Sequence, residues 1–100
     1  MIHTVNKSPF ERNSLDSCFR LAEKGSPVLL IEDAVYSAKK ETSVSDKVSS
    51  EMENHPMFVL GPDLQARGIS EDQVMDGITV VDYGGFVDLV VEHGAANSWL

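Results

Sequence analysis

One side chain in this 100-residue chain stands out as a candidate nucleophile, the single cysteine Cys18. Leu15, Cys18, Phe19 and Ala22 recur at i, i+3, i+4 and i+7, which is one face of a helix. That places Cys18 on or beside an apolar stripe facing a sheet. Two readings stand. Free cysteine is among the most buried residue types and packs as a small hydrophobe. Alternatively, the thiol accepts or passes sulfur, which requires exposure and an electropositive setting. Arg20 and Lys24 are close in sequence but are not aimed at it.

Other chemistry is sparse. Glu32-Asp33 follows an apolar run, and the carboxyl ends of strands in open α/β sheets carry ligands. Two carboxylates there also cap the next turn. Lys7 and Ser8 precede a helix start and offer a weak anion site. His3, His55 and His93 share no zinc spacing with Cys18, so no metal and no cofactor is expected. G-x-G-x-x-G, P-loop, C-x-x-C and G-x-S-x-G motifs are absent. A phosphoacceptor receiver fails, because Asn6-Lys7 stand where acidic residues belong.

The charge is −8, which argues against extended direct contact with nucleic acid. The length suits one domain, residues 1–100. A lone cysteine forms no internal disulfide, which suits a reducing compartment. No secretory signal or membrane-spanning run is visible, so a cytoplasmic protein is expected.

The elements that must position these residues alternate. His3–Val5 ends a first strand. Ser8-Pro9-Phe10-Glu11 reads as a capping box with proline at the first helical position. Lys24-Gly25 closes that helix. Pro27–Ile31 is a strand apolar on both faces. The serine-rich stretch 37–56 is the segment expected to be mobile or to wrap a partner, with a weak helix at 44–53 from Val44, Val48 and Met52. His55 is a loop histidine before Pro56. Further strands are expected at Met57–Leu60 and Ile78–Val81, and a fifth near 95–99. Short helices are expected after Pro62 and Ser70. Asp82 caps a helix closed by Gly94, with Phe86, Val87, Val90 and Val91 on its apolar face, Leu89 beside it, and Asp88 and Glu92 on a polar strip. Trp99-Leu100 docks either on this domain or on a neighbouring subunit. The fold class is α/β: a three-layer α/β/α sandwich with a mainly parallel four- to five-stranded sheet.

Longer stretches carry a resemblance. HTVNKSPFERNSL, VLLIEDAVY at 28–36, FVLGPDLQARG at 58–68, VVDYGGFVDLVVEH at 80–93 and the terminal Trp-Leu together resemble the DsrH/TusB family. The resemblance spans nearly the whole chain and is weakest over 37–56. A cysteine in the first helix resembles the DsrH form more than the enteric TusB form. The resemblance implies a subunit of a sulfur-relay complex, a hetero-hexamer with DsrE/TusD-like and DsrF/TusC-like subunits. Such complexes pass persulfide sulfur toward a DsrC/TusE-like acceptor, in dissimilatory sulfur oxidation for the DsrEFH branch or tRNA 2-thiouridine synthesis for TusBCD. The principal sulfur-carrying cysteine in the family belongs to the DsrE/TusD subunit. Cys18 matches the family's DsrH cysteine and is the candidate sulfur acceptor here.

Three functions are therefore expected to compete. The first is a sulfur carrier acting through Cys18 in a DsrEFH-like complex. The second is a non-catalytic docking subunit with an inert buried Cys18. The third is a stand-alone binder of a small anion at Lys7 and Ser8.

Overall fold

The structure, a computed structural model, describes residues 1–10 and 14–99. Five strands, β1 (Ile2–Val5), β2 (Val28–Leu30), β3 (Met57–Leu60), β4 (Thr79–Val81) and β5 (Ala96–Trp99), form one parallel sheet in the order β4-β3-β2-β1-β5. His3 lies opposite Val28, Leu29 opposite Phe58, Val59 opposite Val80 and Ile2 opposite Ala96. Every residue of β1 and β2 is buried, because both faces of these central strands are covered.

The strand order decides where the helices go. From β1 to β4 each crossover steps to the next position in the same direction. Right-handed crossovers then put all the intervening helices on one face. These are α1 (Ser14–Leu21), a 3-10 helix (Glu32–Ala38), α2 (Ser45–Glu51), α3 (Gly61–Ala66) and a short 3-10 helix (Glu71–Gln73). The return from β4 to β5 runs the opposite way, which sends α4 (Tyr83–His93) to the other face. The core divides accordingly. Val5, Val28, Leu30 and Val59 pack with Leu15, Cys18, Val48 and Leu64. Ile2 and Leu29 pack with Leu89, beside half-buried Phe86 and Val90. The expected layered sandwich is present, with a single helix as its third layer.

Local signals place most ends. The Asp82 carboxylate accepts the Gly85 amide at 2.8 Å, and Gly94 closes α4 at φ 80°, the left-handed conformation glycine adopts without steric cost. These caps make a helix of a valine-rich stretch that is also strand-like. Ser70 and Gln73 form a reciprocal capping box around a short 3-10 helix at Glu71–Gln73.

Four expectations are corrected. Pro9 and Phe10 form a turn, in which the Ser8 hydroxyl accepts the Phe10 amide at 3.2 Å, so Pro9 does not open a helix; α1 is described over Ser14–Leu21, and Glu11 of the expected capping box lies outside the described residues. Gly25 does not close α1, which ends at Leu21; it is the left-handed residue of a later turn, φ 93°, and its amide donates to the Asn54 carbonyl. The stretch 37–56 is packed, with Ser37, Ala38, Val48 and His55 buried. The helix expected at 44–53 is present within it as α2, and its every-fourth apolar residues Val44, Val48 and Met52 pack on the core. Finally, α4 is rotated from the expected orientation: Leu89, Phe86 and Val90 face the sheet, whereas Val87 and Val91 are exposed. Among the described residues no helix is long and apolar enough to cross a membrane.

Candidate functional site

Cys18 sits in the middle of α1, on the face that covers the sheet. It is fully buried. Its neighbours in the core are apolar, and burial pushes its thiol up to about 12. Among the described residues no cation compensates, so the thiolate is a trace species at neutral pH. The helical spacing that placed Cys18 on the apolar stripe is correct in the structure, and that stripe is the one α1 buries.

The residues at the carboxyl edge of the sheet are engaged with one another. The Glu32 amide donates to Asp63 Oδ2 at 2.6 Å. Arg67 donates from Nε to Asp33 Oδ1 at 3.0 Å, with its NH2 nitrogen 3.0 Å from the same oxygen. The Glu32 amide and the Asp33 carboxylate therefore tie the end of β2 to α3, and neither side chain of the acidic pair caps the 3-10 helix that follows. Glu32 adopts φ 50° to make this turn. Ser8 is buried with its hydroxyl committed to the local turn. Pro9 and Phe10 form a turn, so no helix directly follows Lys7 and Ser8 in the described residues. A cleft of about 640 Å³ lies where β3 and β4 end, lined in part by Pro62, Leu64, Ser70, Glu71, Val81 and Asp82. Cys18 is not in it.

Two histidines are core groups. His55 is 2% exposed, its Nδ1 lies 2.8 Å from the Ser26 carbonyl, and its ring stacks on Phe19 at a centroid distance of 6.1 Å. The Ser26 carbonyl can only accept, so Nδ1 carries the proton. His3, on β1, accepts at Nδ1 from the indole Nε1 of Trp99 at 3.1 Å. Burial, with a smaller contribution from His55 and the N-terminus, lowers the His3 pKa. Of the two expected destinations for Trp99, the structure shows docking on this chain; Leu100 lies outside the described residues. The His3–Trp99 contact spans 96 residues of sequence and leaves no sequence signal. Among the described residues no three metal-ligating side chains come together.

The fold and these sites define a small parallel α/β chain that lacks an exposed thiol. A family model described as "DsrH like protein" matches residues 7–96. Protein TusB of Yersinia pestis (strain Pestoides F) is 35% identical over 101 residues, covering 99% of this chain and 100% of the relative. Protein TusB of Pectobacterium parmentieri is 31% identical over 99 residues, with the same coverage. The chain belongs to the DsrH/TusB family. The solved structure of a protein of unknown function, MTH1491 from Methanobacterium thermoautotrophicum, has the same fold, with a TM-score of 0.73, 18% identity, and coverage of 97% and 96% of the two chains.

Proposed function

We propose that this chain is a cytoplasmic sulfur-relay subunit that docks and shapes its complex, and that Cys18 is part of its core. The observation that carries this reading is the complete burial of Cys18 among apolar side chains. Persulfide exchange depends on thiolate fraction and access, and both are minimal here. The partners are DsrE/TusD-like and DsrF/TusC-like subunits in a hetero-hexamer, with a DsrC/TusE-like protein receiving the sulfur. The similarity to proteins named TusB supports the tRNA-thiolation branch over sulfur oxidation. The net charge of −8 suits a subunit that does not itself touch RNA.

A second reading keeps Cys18 as the sulfur acceptor, supported by the cysteine's match to the DsrH form. In it the Cys18 thiolate attacks the outer sulfur of a donor persulfide. The donor S–S bond breaks, the donor leaves as thiolate, and Cys18 holds the persulfide. This requires α1 to open away from the sheet.

The test is the intact mass of the reduced protein after exposure to polysulfide, alone and co-expressed with the two related subunits, with Cys18→Ser beside each. Co-purification with those subunits and no Cys18-dependent gain of sulfur is expected. A gain of sulfur lost in Cys18→Ser would establish the acceptor reading. Failure to co-purify removes the docking role.

A further inference from the structure

Among the described residues, three of the six exposed large hydrophobics lie on one helix. Tyr83, Val87 and Val91 of α4 are 60%, 60% and 76% exposed. Their four-residue spacing aligns them as a single stripe on the side of α4 turned away from the sheet. Scattered exposed hydrophobes need no explanation, but an aligned stripe with a tyrosine at one end is the composition of an interface core.

The charges beside the stripe have one sign. Asp88 and Glu92 are exposed and follow the stripe along the next row of the helix. Neither forms an ion pair among the described residues. The bias extends well beyond α4. All Lys and Arg side chains of the chain lie at or before Arg67, whereas Glu71, Asp72, Asp76, Asp82, Asp88 and Glu92 follow it with no cation between them. The negative charge of the protein is concentrated in the segment that forms β4, α4 and their flanks.

We infer that the outer face of α4 is a docking surface for another protein, one presenting an apolar ridge bordered by lysines or arginines. Apolar burial along Tyr83, Val87 and Val91 supplies affinity, and the carboxylate row supplies orientation and selects the partner. A second copy of this chain is disfavoured, because its own α4 brings only further carboxylates to the rim. Nucleic acid and anionic membrane surfaces are repelled for the same reason. The inference goes beyond the sulfur-relay reading and stands or falls separately from it, because its test uses a designed peptide in place of a relay subunit.

The probe is a fluorescent amphipathic helical peptide with a leucine ridge bordered by lysines, beside a matched peptide with glutamates in place of the lysines. The lysine peptide should bind the full chain saturably and protect amides in 83–92 from exchange. Val87→Ser with Val91→Ser leaves the charge unchanged, and Asp88→Asn with Glu92→Gln leaves the stripe unchanged. Each pair should weaken binding by about tenfold or more, and the glutamate peptide should not bind. Absence of lysine-peptide binding, or binding that the serine pair leaves unchanged, overturns the inference. So does equal binding of the glutamate peptide. A dimer of the chain alone in sedimentation, dissociated by the serine pair, assigns the face to a second copy and overturns it as well.

Discussion

The indole Nε1 of Trp99 donates to Nδ1 of His3 at 3.1 Å, joining the two ends of the chain across neighbouring strands. The rings are tilted at 44° with centroids 6.0 Å apart. Only the neutral imidazole with its proton on Nε2 accepts this bond.

The His3 pKa lies below its ordinary value of 6.5 in the folded chain. Unfolding restores the ordinary value, so the unfolded chain takes up the proton first as the pH falls. The stability linked to neutral His3 is fully present above about pH 6.5 and is lost as the pH falls through the lowered folded value. Trp99 is the sole tryptophan, so its emission should shift over the same acid range. In His3→Gln that shift should be absent, and the urea midpoint should depend less on pH below 6.5. Equal pH dependence in both proteins would remove His3 as the titrating group.

Cys18 should resist thiol reagents in the native state and react when the chain is unfolded by urea. Its replacement should report a packed site. Cys18→Ala should be tolerated better than Cys18→Ser, which buries a hydroxyl among apolar side chains at a cost of about 1–3 kcal/mol. Urea denaturation of the two variants measures the difference. Rapid labelling of the native thiol would show that α1 opens readily.

The rotation of α4 is testable by alanine pairs. Leu89→Ala removes the side chain that meets Ile2 and Leu29 and should cost about 2–5 kcal/mol. Val87→Ala and Val91→Ala should each stay within about 0.5 kcal/mol, the usual range at exposed positions. A reversed order of costs would mean that the opposite face of α4 is buried.

Asp82→Ala should lower stability by about 1 kcal/mol, the usual effect of losing an N-cap side chain, because the Gly85 amide loses its acceptor. Asp82→Asn should recover most of that loss. Thermal unfolding of the three proteins side by side checks this.

Protection of 44–52 from amide exchange is the corresponding check on the polar segment. Val48 is fully buried, and Val48→Ala should cost about 2 kcal/mol by the burial it forfeits. Fast exchange throughout this stretch in the wild type would restore the view that it is mobile.

Much of this protein is determined within short stretches of its sequence. The apolar runs at 28–30 and 57–60 are strands, Asp82 and Gly94 bound α4, and Leu15, Cys18 and Phe19 share one helical face. Capping bonds and side-chain periodicity act over three or four residues, so they are legible locally. The family resemblance is likewise carried by contiguous motifs. Tertiary structure alone decided the rest. Helix α4 is apolar around most of its circumference, so its own sequence leaves the buried side open. The sheet selects Leu89 over Val87, because the β4-to-β5 return sets α4 down as the lone helix over Ile2 and Leu29. The burial of His55 and the pairing of His3 with Trp99 join residues 29 and 96 positions apart. Such contacts exist only after strand order and register bring distant segments together, and no local pattern encodes them.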